Sequence, residues 1–260
     1  MIYIGTCGFS YDDWRKVFYP PELDRKDFLA FYAENFQALE LNSSYYAIPS
    51  PRLINNLIIH TPDDFKVVVK AFRGITHERD EISEEHLKKF IAAIAPLSHP
   101  GKLAAVLLQF PYSFRPGDRE LVYLDRLLCL LSEVPTVVEF RHSSWMKRRV
   151  LESLQSHAAA LCCVDEPRLP GLMPPEVIRT SALLGYVRFH GRNTAKWWNH
   201  KESWERYDYL YNEEELEEWT SGIRWLESKT DQTYIFFNNH RAGQAVENAR
   251  QMAGLLGLEV

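Results

Sequence analysis

The 260-residue chain is poor in cysteine, with only Cys7, Cys129, Cys162 and Cys163. None stands at a paired metal-binding spacing, and two are adjacent inside an apolar run, so they read as small buried hydrophobes. So few thiols exclude a disulfide scaffold and lead to the expectation of a reduced, cytoplasmic compartment. Long hydrophobic runs are missing as well. No stretch approaches the roughly 20 apolar residues of a membrane span. The opening Met1-Ile-Tyr-Ile-Gly5 enters a strand at once and lacks the basic-then-apolar order of a signal peptide. No membrane partner is expected. Positive charge is not in surplus: the formal net charge is -5 and the pI about 6.0. That removes a global pull towards nucleic acid or anionic lipid and leaves room for a local basic patch. No glycine-rich nucleotide-cofactor motif occurs.

What the chain has is an ordinary globular composition, 46% hydrophobic and 25% charged, enough for a sizeable core. Short apolar runs predict eight strands, at 2–8, 38–42, 66–71, 104–110, 136–141, 160–164, 185–190 and 233–238. Helical periodicity follows most of them. Expected helix starts are Asp24, Ser50 with Pro51, Ser83 with Glu84 and Glu85, Asp118, Ser143 or Ser144, the capping box Asn212 with Glu215, and Ala242. The Pro-rich segment after the sixth strand is expected to hold at most a short helix. No linker or low-complexity gap interrupts the series, so one domain spanning 1–260 is expected, a single (β/α)8 TIM barrel. An open doubly wound sheet alternates in the same way, but its ligands gather at a switch point. Here nearly every strand ends in a polar residue, which favours a closed ring.

Those strand ends define the candidate site. Glu139 and Arg141 lie two residues apart and share a face. Glu40 with Asn42, Lys70, Gln109, Asp165, Arg188 with His190, and Asn238 with His240 repeat the pattern. Charged groups on the inward face of an apolar strand are costly unless paired or used. Glu139, His190, Asp165 and Lys70 are the candidate catalytic residues, with histidine the natural proton carrier near neutrality. Glu40, Asn42, Tyr46, Gln109, Arg141, Trp145, Arg188, Asn238 and His240 are the candidate substrate-binding residues. The carboxylates and histidines suffice for a divalent metal, yet the cations on the same face disfavour one, so the cofactor stays open. Phosphate is expected at Gly191-Arg-Asn193 and at Asn239-His-Arg-Ala-Gly243, where barrels commonly bind it. The long segment 191–211, rich in tryptophan and tyrosine, has the length of a lid or binding loop.

Each assignment has an ordinary counterpart. Glu139 and Arg141 also fit a structural ion pair, the histidines hydrogen-bonded core residues, and the tryptophans loop packing. The leading reading is an enzyme, a hydrolase or other acid/base catalyst, acting on a phosphate-bearing or anionic compound at the barrel mouth. The second is a nucleic-acid binder or repair nuclease, with Arg52, Arg73, Arg192 and Lys196 as a basic rim and aromatic loops for stacking. The third is a non-catalytic small-molecule receptor.

The strand-end motifs resemble a known family. They are Ile4-Gly-Thr-Cys-Gly-Phe-Ser-Tyr11 with Trp14, Glu40-Leu-Asn42 with Tyr45-Tyr46 and Pro49, Lys70 with Thr76-His77, and Leu108-Gln-Phe-Pro111. Val138-Glu-Phe-Arg-His142 with Ser144-Trp145, Val164-Asp165, Val187-Arg-Phe-His-Gly-Arg192, and Phe237-Asn-Asn-His240 with Gly243 and Ala245 complete the set. Together they resemble the YecE-like family, domain of unknown function number seventy-two, along the full chain. A tryptophan of many members is Phe9 here, still aromatic. The resemblance implies a TIM barrel, likened at fold level to metal-dependent endonucleases of damaged DNA, and implies no particular reaction.

Overall fold

The computed structural model describes residues 1–79 and 84–258. The expected helix start at Ser83 lies outside the described residues. The apolar runs form β1 (Ile2–Cys7), β2 (Ala38–Leu41), β3 (Lys66–Lys70), β4 (Leu103–Gln109) and β5 (Thr136–Glu139). Between and after them run α1 (Phe28–Asn35), α2 (Pro51–Ile59), α3 (Glu84–Ile94), α4 (Asp118–Leu130) and α5 (Arg148–Ser156). β6 (Ala160–Leu161), β7 (Cys163–Asp165), β8 (Leu184–Phe189), α6 (Glu213–Glu227), β9 (Gln232–Phe237) and α7 (Gln244–Leu255) complete the chain. As expected, the Pro-rich segment 166–183 forms no helix. Strands buried on both faces read as unbroken apolar runs because helices cover the sheet.

Every strand pair is parallel, and the order is β6-β5-β4-β3-β2-β1-β9-β8-β7. The two edges of this nine-stranded sheet are consecutive in the chain, separated only by Cys162. The sheet is therefore a nearly closed α/β barrel. The run expected as the sixth strand is divided because its first half pairs with β5 and its second with β8. Cys162 N–H still donates to Val138 O at 2.9 Å, and the partner changes one residue later.

Local capping chemistry explains where the expected helix starts hold and where they shift. Ser50 Oγ accepts from Leu53 N–H with Pro51 in the first turn, and Asn212 with Glu215 forms a reciprocal capping box. Asp118 proves to be the first helical residue after Gly117 rather than the cap. Ser143 and Ser144 start a short 3-10 turn capped by His142, and α5 begins later, at Arg148. Asp24 precedes a 3-10 turn (Arg25–Asp27) that leads into α1, and Ala242 sits in another before α7. Since all strands run the same way, their C-terminal residues meet at one rim.

Candidate functional site

Arg188, only 1% exposed, stands at the centre of that rim. Its Nη1 donates to Glu139 Oε2 at 2.5 Å and its Nη2 to Glu40 Oε1 at 2.6 Å. Tyr186, two residues earlier on the same strand face, donates its hydroxyl to Glu40 Oε2 at 2.7 Å. Sheet register places Cys7 beside Glu40 and Gln109 beside Glu139, and both reach Arg188, at 3.3 Å (Cys7 Sγ) and 3.4 Å (Gln109 Oε1). The second oxygen of Glu139 lies 2.6 Å from Arg141 Nε and 3.2 Å from His190 Nε2. Neither approach has hydrogen-bond alignment, so the arginine makes a close charge contact and the imidazole packs against the carboxylate. Arg141 extends the cluster to Glu166, 3.4 Å away, whose other oxygen accepts from Met173 N–H.

This network fixes protonation states. Burial alone would raise the Glu139 carboxyl, but Arg141 and Arg188 outweigh it and hold it well below the carboxylate range. Burial, aided by Arg141, depresses His190 to about 3, so the imidazole is neutral at ordinary pH. Asn238 Nδ2, 3.2 Å from His190 Nδ1, assigns the proton to Nε2, facing Glu139. Burial raises Glu166 to about 7. Lys70 is lowered to about 8, first by burial and then by Arg188. Its ammonium sits 4.6 Å from the Tyr45 ring centroid and forms no ion pair among the described residues.

In front of the network opens a cavity of about 410 Å³. Lys70 and Arg188 supply cations to its wall; Asn42, Gln109 and Asn238 supply amides, and Tyr11, Tyr45, Tyr46, Trp204 and Tyr207 supply rings. His77, His240 and two serines complete the wall, which contains no carboxylate among the described residues. Asn42 Oδ1 and His240 Nδ1 are buried there without a protein partner. A smaller cavity of about 150 Å³ shares His77, Gln109 and Tyr207 and adds Arg141, Arg206 and Trp197, again with no carboxylate among the described residues. The segment 191–211 builds one side of both. A capping box, Glu202 with Glu205, folds its 3-10 turn (Ser203–Tyr207), which sets Trp204 and Tyr207 over the mouth.

The expected residues thus separate into groups. Asn42, Tyr46, Lys70, Gln109, Arg188, Asn238 and His240 line the larger cavity, and Arg141 lines the smaller. Glu40, Glu139 and His190 are fully buried and contact those walls from behind. Asp165 and Trp145 are elsewhere. Asp165 accepts two bonds from Arg192 (2.9 and 2.7 Å), one from Tyr211 (2.8 Å) and one from Trp219 (2.8 Å), which saturates both oxygens. Trp145 stacks on Phe140 and donates to Phe114 O. The expected phosphate loops are also committed. Gly191 N–H donates to Tyr211, Arg192 holds Asp165 and Glu218, and the Asn193 and Asn239 amides bind backbone carbonyls. Of the expected basic rim, Arg73, Arg192 and Lys196 pair with Glu78, Glu218 and Glu205, while Arg52 stands exposed on α2. The one His/Cys/carboxylate trio with metal-like convergence among the described residues, Asp125, Cys129 and His157, lies on α4 and just past α5, outside the cavity.

Sequence reading missed Cys7, Glu166, Tyr186, Tyr45, His77, Trp204 and Tyr207 as site residues. Tyr186 was detectable, because period two puts it on the Arg188 face. No helix among the described residues is long and apolar enough to cross a membrane.

Fold and site together define a parallel α/β barrel with a polar, aromatic cavity at its mouth. The chain belongs to the family described as "Protein of unknown function DUF72", whose model matches residues 3–260. It is 34% identical to UPF0759 protein YunF of Bacillus subtilis (strain 168), covering 100% of this chain and 96% of that one. UPF0759 protein YecE of Escherichia coli (strain K12) is 25% identical, over 95% and 89% of the two chains. A DUF72 family crystal structure from Thermotoga maritima superposes with a TM-score of 0.92 at 39% identity, covering 99% of both chains. Another, from Enterococcus faecalis, gives 0.90 at 28% identity, covering 100% of this chain and 97% of that one.

Proposed function

We propose that the protein, acting as one domain over 1–260, is an acid/base catalyst, hydrolytic or related, for a small anionic or phosphate-bearing compound bound in the larger cavity. The observation that carries this reading is a wall with Lys70 and Arg188 on it and, among the described residues, no carboxylate. Arg188 is held by Glu40 and Glu139, so Lys70, which forms no ion pair among the described residues, is the cation left to attract an anion in this partly desolvated cleft, and the aromatic rings suit a flat organic body. Lys70 takes the proton-transfer role. With its acidity near 8, an amine exchanges protons at working pH. Glu139 and His190 become positioning residues that hold Arg188 and Arg141, and Asp165 leaves the mechanism. We also read the two stretches flanking Cys162 as one interrupted strand, which returns an eight-stranded ring.

A nucleic-acid role draws less support, because three of its four proposed rim cations are paired with carboxylates. Turnover of a panel of phosphomonoesters and small carboxylates tests the proposal. Lys70→Met should lower kcat by about 10²- to 10⁴-fold on any substrate found, the usual contribution of a positioned acid or base. Unchanged turnover in that variant would remove Lys70 from the chemistry.

A further inference from the structure

The larger cavity holds an amine with unusual surroundings. Lys70 ends β3 on the cavity wall, its Nζ lies against the Tyr45 face, and no carboxylate among the described residues reaches ion-pair distance, although Glu139 and Glu40 lie near enough to oppose part of the depression of its pKa. Arg188, by contrast, spends its guanidinium on Glu40 and Glu139. His77 reaches the other side of the same arrangement, its ring 4.9 Å from that of Tyr45, with Thr76 Oγ1 2.8 Å from its Nδ1.

We propose that Lys70 is a nucleophile that forms an imine with a small anionic aldehyde or ketone bound in this cavity. The inference rests on the cavity being an anion site, adds the class of substrate, and gives Lys70 a covalent role in place of simple proton transfer. An amine becomes nucleophilic when its charged form is disfavoured, which desolvation and neighbouring cations achieve. Both are present: burial and Arg188 bring Lys70 to about 8, so a useful fraction is neutral. In the step itself the lone pair of Nζ adds to the carbonyl carbon, and the carbonyl π pair moves to oxygen, which takes a proton. The carbinolamine then loses water as the C=N bond forms, the two amine protons leaving with that oxygen. No oxidant or reductant is consumed. His77, on the same wall, is held neutral at about 4 by burial and by Lys70, so it adds no second positive charge beside the amine.

The test uses the full chain with pyridoxal 5'-phosphate or glyoxylate at pH 7.5, borohydride to reduce any imine, and peptide mass mapping. Inorganic phosphate binding is measured in parallel by calorimetry. Lys70 should be labelled at least about tenfold faster than the mean of the other lysines, because its lowered pKa leaves roughly a quarter of it neutral at pH 7.5 against roughly a thousandth of an ordinary lysine. Phosphate should suppress that label, and Lys70→Arg should abolish it while keeping phosphate binding. Phosphate binding with Lys70 unlabelled, or labelled no faster than other lysines, overturns the imine and leaves the anion site standing. Absence of both phosphate binding and label overturns the two readings together.

Discussion

Arg188 joins two buried carboxylates with one planar fork, an arrangement that a lysine cannot reproduce. Networks of this kind add little net stability but are costly to break, since a lost partner strands a buried charge. They also freeze protonation, which is why Glu139 and His190 do not titrate near neutrality. Glu166 differs. Burial raises its folded-state pKa to about 7, above the ordinary value of 4.5. The folded chain therefore keeps a proton that the unfolded chain releases between those values, and stability falls as pH rises through that window. In Glu166→Gln that loss disappears. Urea unfolding should show the variant gaining relative stability from pH 4.5 to 7 by up to about 1.4 kcal/mol per pH unit, and no further gain above. A pH-independent difference between the two proteins would show that Glu166 is ionised throughout.

Among the elements, the segment 191–211 depends on one carboxylate at the end of β7. Asp165 draws in Arg192 at the start of the segment, Tyr211 at its end and Trp219 on α6. Gly191 makes the turn possible. Its φ is +87, and a Cβ there would lie 2.8 Å from Tyr209 Cβ. Asp165→Ala should cost about 3–5 kcal/mol, the loss typical when one partner of a buried charge pair is removed. Limited proteolysis should then cut within 191–211 faster than in the native chain. An unaltered denaturation midpoint with unaltered cleavage would contradict this anchoring role.

For the whole molecule, legibility followed the range of the interactions. Period-two placement brought Glu40, Lys70, Gln109, Arg141 and Arg188 together from sequence alone, because parallel strands end at a common rim. Caps with partners three residues away, at Ser50 and Asn212, were legible for the same local reason. Asp165 and Glu166 could not be told apart, since their donors come from 7 to 54 residues away. The change of strand partner at Cys162 left no mark either, because the apolar run continues through it. The central claim is that the cavity at the mouth, free of carboxylates among the described residues, takes an anion through Lys70. It is tested most directly by calorimetric titration of inorganic phosphate, pyrophosphate and a nucleoside monophosphate at low ionic strength, where screening is weakest. At least one should bind saturably at a single site, and Lys70→Met should weaken it by about 10- to 100-fold, the value of one charged hydrogen bond. No saturable binding by any of the three, or equal affinity in Lys70→Met, would contradict the account.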